Sequence, residues 1–221
     1  MATSSVSLAT RQRDDFNTNP ITMTMTSSNP LVAVRKSPVM QHSFIALLRG
    51  INVGKANRIA MADLRALLQG LGYTNVTTLL NSGNAVFRAD NGSSAKHAAA
   101  ITGAIATQWK LELPVVVKSA RELAAIAADN PWSGTAPDHS RLMVAFAQDD
   151  TALAGLRAIS PAVVAPEEFF IGSHAAYLHC VSGILESKAA KALLGKAGQA
   201  VTTRNWATVL KLQALASQDA T

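Results

Sequence analysis

With 221 residues, 48% of them hydrophobic and 15% charged, the chain has the length and composition of one large or two small globular domains. It contains no run of about 18 apolar residues, so a membrane-spanning helix is not expected, and its single cysteine, Cys180, excludes a disulfide within the chain. The net charge of +6 is concentrated in residues 41–120, which carry eight basic and three acidic side chains. Such a local excess favours an anionic partner, although a solvated surface is an equally good interpretation.

The first 42 residues differ from the rest of the chain. They are rich in Ser, Thr and Asn and have no periodic apolar face, so we predict a disordered tail at 1–42. The tail lacks the continuous apolar segment of a secretory signal, and Asp14 and Asp15 argue against a transit peptide. Met40 is an alternative start, in which case residues 1–39 are not part of the native protein. The lone cysteine and the lack of a secretory signal favour a cytoplasmic protein.

Regular patterning begins at Phe44 and predicts the order β-α-β-β-α-β. The signals are short β-branched runs for strands, leucines at helical spacing, and glycine or serine at element ends. Strands are expected at 44–51, 74–80, 84–89 and 114–119, and helices at 61–72 and 93–113. This order is that of the ferredoxin-like fold, the split βαβ unit.

The same order is predicted a second time after a linking helix at 120–129 and a Pro/Gly-containing loop at 130–140. Strands are expected at 141–147, 167–171, 175–181 and near 199–202, with helices at 150–159 and 187–194. A closing helix is expected at 204–217, with Thr203 as its N-cap. The predicted fold class is therefore α+β. It consists of two tandem ferredoxin-like (βαββαβ) units with antiparallel sheets, 43–119 and 141–221, plus a C-terminal helix.

Three separate motifs carry a resemblance to a known family: ALLRGINVGKANRIAMADLRALLQGLGY, LLNSGNAVF and TTRNWATVLKL. In this order and spacing they resemble the bacterial domain-of-unknown-function 1697 family over about residues 43–216. The resemblance implies a compact cytoplasmic α+β protein with two ferredoxin-like halves. It implies no established activity.

The segment LLRGINVGKANRI, residues 47–59, joins the first strand to the first helix. Three residues separate Gly50 from Gly54, where a P-loop has four, and alanine replaces the hydroxyl residue after the lysine, so this is not a P-loop. The spacing G-x-G-x-x-G is absent as well. A glycine-bearing loop with Lys55 and Arg58 before a helix N-terminus can still hold an anion. The alternative is a turn whose glycines only allow positive φ.

The predicted topology brings other polar residues to this loop. In a ferredoxin-like unit the loop after the first strand and the turn before the third strand lie at one end of the sheet, on neighbouring strands. With the RNW segment that opens the closing helix, they form the predicted ligand-binding corner: Arg49, Gly50, Asn52, Gly54, Lys55, Arg58, Asn81, Ser82, Asn84, Arg204 and Asn205. The matching corner of the second unit, AQDD and IGSH, is acidic and sparse, so the first unit is the better candidate.

Other chemistry has little support in the sequence. The five histidines show neither H-x-x-x-H nor H-E-x-x-H spacing and there is no G-x-S-x-G elbow, so no metal or cofactor is predicted and catalytic residues are not assigned. Cys180, in an apolar stretch, is expected to be a small core residue. The strand segments FIALLRGI and SGNAVFRA offer only Phe44 and Phe87 for base stacking, which argues against sequence-specific RNA recognition.

The function that the sequence favours is the binding of an anionic ligand, phosphate-bearing or nucleic-acid backbone, at the loop after the first strand. Two alternatives stay open. One is an enzyme acting on a small phosphorylated or carboxylated metabolite at the cleft between units. The other is an assembly protein that pairs through its sheet edges. No membrane partner is expected, and the oligomeric state is open.

Overall fold

The computed structural model describes residues 41–54, 57–136 and 138–218. The predicted tail, up to residue 40, and Lys55 lie outside these ranges. The described residues form an α+β structure with two four-stranded antiparallel sheets and six α-helices, the last at the C-terminal end, which confirms the α+β class. None of these helices is long and apolar enough to cross a membrane.

The first half of the described chain, from β1 to β4, builds one sheet in the order β2-β3-β1-β4. β1 lies centrally and is antiparallel to both β3 and β4, as the sequence order predicted for β1 and β3. Its elements are β1 (His42–Leu48), α1 (Met61–Gly70), β2 (Thr74–Leu79), β3 (Asn84–Ala89), α2 (Ser94–Trp109) and β4 (Val115–Ser119).

A linking helix, α3 (Ala120–Ala128), follows β4 directly. Ser119 and Glu122 form a capping box at its start, because the serine hydroxyl accepts the N–H of Glu122 and the glutamate accepts the N–H of Ser119. This reciprocal pair satisfies two N–H groups that a helix start otherwise leaves without partners. The predicted linking helix is thereby confirmed.

The second half, from β5 to β8, builds the other sheet in the order β6-β7-β5-β8. The helix predicted at 150–159 is α-helical only to Gly155 and continues as a 3-10 helix that contains Pro161. The elements are β5 (Leu142–Ala147), α4 (Asp150–Gly155), the 3-10 helix (Leu156–Ala162), β6 (Glu168–Ile171), β7 (Ala175–His179), α5 (Lys188–Leu194), β8 (Val201–Asn205) and α6 (Trp206–Gln218).

The end of the second half differs from the prediction in one respect that matters for the site. The last strand runs to Asn205, so Thr203 is not a helix cap and Arg204 and Asn205 are strand residues. Pairing with β5 extends this strand, because Met143 lies opposite Asn205 and Val144 opposite Arg204. The N-cap role falls to Asn205, whose Oδ1 accepts the N–H of Thr208 at 3.0 Å.

Three apolar cores stack through the two sheets. Alternating residues of β1 face opposite sides: Phe44 and Ala46 contact α1 and α2, whereas Ile45 and Leu47 face the second sheet. The middle core lies between the sheets and includes side chains of α3 and α6, and a third core packs α4, the 3-10 helix and α5 on the outer face of the second sheet. The middle core joins the two halves. Trp206 is buried in it.

Candidate functional site

The loop after β1 and the turn before β3 lie at one end of the first sheet, as predicted. The N–H of Leu48 donates to the carbonyl of Gly83 at 2.8 Å. Gly83 has φ +76°, and a Cβ at this position would lie 2.8 Å from Leu48 Cβ and 2.9 Å from Ile51 Cδ1. Only glycine fits this close approach without displacement of its neighbours.

Asn52 fastens the loop to the turn. Its Nδ2 donates to the carbonyls of Ile59 at 2.8 Å and Asn81 at 2.9 Å, and its Oδ1 accepts the N–H of Ile59 at 3.0 Å. The residue adopts φ +56°, a left-handed conformation that asparagine tolerates better than most residues. The side-chain amide is therefore occupied in shaping the loop.

The rest of the loop is held by weaker contacts. Gly50 and Gly54 have φ +66° and +62°, and nothing lies within 4 Å of a Cβ built on either. Asn57 Nδ2 donates to the Gly50 carbonyl at 3.2 Å, and the exposed Arg58 reaches the Gly54 carbonyl at 3.4 Å. The guanidinium of Arg58 thus lies over the loop with most of its N–H groups available to solvent.

Arg49 leaves the first half and contacts the second. Its Nη1 donates to the carbonyl of Val201 at 2.7 Å and its Nη2 to those of Leu194 at 2.7 Å and Gly195 at 3.3 Å. Burial lowers the pKa of Arg49. Its Nε donates to no other residue of the described chain, so this arginine joins the halves and keeps an N–H to offer.

Arg204 makes the opposite connection, from β8 of the second half to the first. Its Nη2 donates to the carbonyls of Leu48 at 2.8 Å, Ser82 at 3.0 Å and Gly83 at 3.2 Å. Its Nη1 donates to the hydroxyl of Thr202 at 2.8 Å and to a carbonyl of its own strand. Burial lowers the pKa of Arg204 to about 10. Its acceptors are neutral oxygens, and no carboxylate of the described chain pairs with it.

Asn84 completes this junction and is 0% exposed. Its Oδ1 accepts the Nε–H of Arg204. Its Nδ2 donates to the carbonyl of Leu79 at 2.9 Å and to the hydroxyl of Ser82 at 3.0 Å. Both ends of the amide are therefore used, and the orientation is fixed because only the oxygen can accept from arginine.

A cavity of about 530 Å³ opens between the halves beside the two arginines. Two threonines and a serine add hydroxyl groups, and no lining residue is acidic. The lining residues are Leu48, Arg49, Gly50, Ile51, Val53, Ser82, Leu194, Thr202, Thr203 and Arg204. The mouth is apolar, since Val53 is 71% exposed and Leu194 is 50% exposed.

The structure thus brings together much of the predicted corner, in different roles. Arg49, Gly50, Ser82 and Arg204 line the cavity, whereas Asn52, Asn81 and Asn84 form its supporting bonds. Gly54 and Arg58 lie on the loop outside the lining, and Asn205 caps α6. The sequence analysis did not predict Leu194, Thr202 and Thr203 as site residues. The TTRN run could have indicated the threonines, but it was interpreted as the start of the closing helix.

Comparisons with known proteins identify a family and a protein of similar structure. A family model described as "Protein of unknown function (DUF1697)" matches residues 40–177, more than half of the chain. The solved structure of the conserved bacterial protein SP0830 from Streptococcus pneumoniae superimposes with a TM-score of 0.68 at 23% sequence identity, covering 80% of this chain and 99% of that one. The likeness shows a shared fold. No curated protein matches the sequence.

Proposed function

The chain belongs to the domain-of-unknown-function 1697 family, and from its geometry we propose that it binds a small anionic ligand in the cavity between its two halves. The observation that carries the proposal is a cavity bordered by two arginines and free of acidic residues. Arg49 and Arg204 place two positive charges beside it, and neither has a carboxylate partner in the described chain.

Burial strengthens the attraction that these charges exert. A positive charge surrounded by protein is screened less than one in water, so an anion in the cavity interacts strongly with it. The volume, about 530 Å³, lies within the range of small-molecule sites. Arg204 acts through its charge, because its nitrogens already donate to protein oxygens, whereas Arg49 has an Nε–H left for a ligand. Thr203 also lines the cavity and carries a hydroxyl that can donate.

Binding is favoured over catalysis at this site. None of the described residues that line the cavity is Asp, Glu, His or Cys, so no side chain there can act as a general base at neutral pH or as a thiolate nucleophile. The volume of about 530 Å³ also suits a small phosphate or carboxylate better than a nucleic-acid strand. An enzyme that uses groups of its substrate or of a partner stays the alternative.

We also propose that each half is a ferredoxin-like unit. The strand orders β2-β3-β1-β4 and β6-β7-β5-β8, each with helices between the strands, support two tandem ferredoxin-like units at residues 43–119 and 141–221, joined by 120–140. The ligand then lies where the first strand of one unit meets the last strand of the other. A cytoplasmic location is proposed on the single cysteine.

The test is calorimetric titration of the full chain with inorganic phosphate, pyrophosphate, AMP and citrate at constant ionic strength. At least one of these anions should bind, and Arg49→Gln should weaken it about tenfold or more, as expected when a charge-assisted hydrogen bond is lost. Arg65→Gln is the matched control, because Arg65 is exposed on α1, away from the cavity.

Arg49 also holds the halves together, so a second variant is needed. Thr203→Val preserves shape and strand propensity while it removes the hydroxyl, and it should weaken the same anion with little change in melting temperature. Binding of no anion by the wild type, or equal affinities in all variants, would contradict the proposal. A single-stranded oligonucleotide that binds with a steep salt dependence, when phosphate does not, would indicate nucleic-acid backbone instead.

A further inference from the structure

Lys118 in β4 and Arg204 in β8 occupy the same position in their respective sheets. Val115 pairs with the last residue of β1, and Val201 pairs with the last residue of β5; Lys118 and Arg204 each follow three residues later. Both are buried, at 8% and 9% exposure. Arg204 reaches the end of β1 in the other half, and Lys118 correspondingly lies beside the end of β5.

The surroundings of Lys118 differ from those of Arg204. It lines a separate, partly open cavity of about 170 Å³ between α3, the start of α4 and the β6–β7 turn. Among the described residues its Nζ has no hydrogen-bond acceptor, and the nearest carboxylate oxygen is Glu122 Oε1 at 3.9 Å. The other oxygen of Glu122 is already used by Ser94 and Ser119. The amine therefore makes one long ion pair, with Glu122, and none of its three N–H groups donates a hydrogen bond within the described residues.

The charges around the amine exclude an anion from this second cavity. Besides Glu122, it is lined by Asp149 and Asp150 from the start of α4 and by His174 from the β6–β7 turn, whereas Lys118 is its one basic residue apart from the histidine. Asp149 caps α4 by accepting the N–H of Ala152 at 2.8 Å. Carboxylates outnumber the ammonium, so the cavity accommodates an uncharged ligand better than an anion.

The protonation of Lys118 is also unusual. Burial lowers the pKa of the amine, and the carboxylates of Glu122, Asp150 and Asp149 oppose that effect without cancelling it. A larger fraction of Lys118 is therefore uncharged near neutral pH than of a solvent-exposed lysine. An uncharged amine is the nucleophilic form, and desolvated lysines of this kind form Schiff bases with carbonyl compounds.

We propose that Lys118 is a carbonyl-reactive amine whose cavity takes a small neutral aldehyde or ketone and binds it as an imine. The nitrogen lone pair attacks the carbonyl carbon, and a nitrogen proton passes to the carbonyl oxygen through a neighbouring carboxylate or imidazole. The carbinolamine then loses water as the C=N bond forms. No oxidant or reductant is required. The volume limits the ligand to a few carbon atoms. This site is independent of the anion cavity.

The proposal is tested by reductive alkylation of the full chain with acetaldehyde and sodium cyanoborohydride near pH 6.5, with peptide mass spectrometry to follow each lysine. Lys118 should be ethylated several-fold faster than Lys96 and Lys188, which are exposed, because a lowered pKa leaves a larger fraction of the amine uncharged. If Lys118 is only buried and lies in no reactive cavity, it should be ethylated more slowly than the exposed lysines. Labelling of Lys118 at or below the rate of the exposed lysines overturns the proposal.

Two further aldehydes test whether the cavity binds the aldehyde or whether Lys118 is merely a reactive amine. Glyoxylate has two carbons like acetaldehyde but is anionic, and biphenyl-4-carboxaldehyde is neutral but too large for about 170 Å³. The preference for Lys118 should fall several-fold with either. An unchanged preference with glyoxylate overturns the neutral-ligand assignment, and an unchanged preference with the biphenyl compound overturns the cavity as the binding site. Lys118→Met, checked for folding by circular dichroism, identifies the labelled peptide.

Discussion

Arg204 donates its Nε–H to Asn84 Oδ1, so a strand of the second sheet is tied to a strand of the first across 120 residues of sequence. The same guanidinium donates to the carbonyl at the end of β1 and to those of the β2–β3 turn. The charge is buried without a carboxylate partner among the described residues, and neutral oxygens alone solvate it. The junction between the halves therefore depends on every one of these acceptors.

Replacement of Asn84 by Ala should destabilise the protein by about 3 kcal/mol, because it leaves a buried charged donor without its acceptor. The quantity to measure is the free energy of unfolding from urea titration. Asn81→Ala is the matched control: Asn81 is exposed in the same turn and contributes its backbone carbonyl, so its loss should stay within about 0.5 kcal/mol. Equal losses would show that Arg204 finds other partners.

Alanine substitutions at two glycines of this corner should differ in their effect on stability. Gly83 and Gly50 both have positive φ, so alanine costs roughly 1–2 kcal/mol of backbone strain at either position. Only at Gly83 does the new Cβ also lie 2.8 Å from Leu48 Cβ. Gly83→Ala should therefore lose more stability than Gly50→Ala by at least about 1 kcal/mol. Similar melting temperatures for the two variants would contradict the close approach.

Local signals were sufficient to predict most of the fold. The leucines of α1 and the serine that caps α2 mark elements that neighbouring residues decide, and the order of elements then placed β1 beside β3. The end of β8 was mistaken because the threonines, arginine and asparagine before Trp206 adopt extended backbone only through pairing with β5. Such pairing is a tertiary effect that overrides the local helical pattern.

The site was predictable only in part for a related reason. The shared end of the sheet follows from topology, so the convergence of Asn52 with Asn81 was expected. The partners of Arg49 and Arg204 are mostly backbone carbonyls, which every residue possesses and no sequence pattern marks. The position of Lys118 beside the second corner was not predicted because it depends on how the two halves pack.

His97 should make stability depend on pH. The ring is buried among Phe44, Tyr73 and Phe87, its Nδ1 lies 2.9 Å from the Tyr73 hydroxyl, and its Nε2 has no partner among the described residues. Burial, and secondarily the charge of Lys96, lowers the pKa of His97. The unfolded chain therefore binds a proton more readily than the folded one below the ordinary histidine pKa of about 6.5.

Because the unfolded chain binds the proton more readily, the protein is less stable at acidic pH. Stability is fully present above about pH 6.5 and is lost as the pH falls from there toward the lowered pKa of the folded state. Urea titrations between about pH 5 and pH 7.5 should show this loss in the wild type and a smaller one in His97→Leu. His42→Gln is the control, since His42 is exposed. A wild-type slope that His97→Leu retains would exclude the histidine as its source.

Cys180 should be unreactive in the native protein. It is fully buried in the core on the outer face of the second sheet, and burial raises the pKa of its thiol, so little thiolate forms at neutral pH. The thiol reagent DTNB should therefore modify the native chain at least about a hundredfold more slowly than the urea-unfolded chain, since reaction requires opening of the core. Cys180→Ala should cost about 1 kcal/mol and leave anion binding and Lys118 labelling unchanged. Rapid modification of the native thiol, or loss of either property in a folded Cys180→Ala variant, would place this cysteine in a functional site.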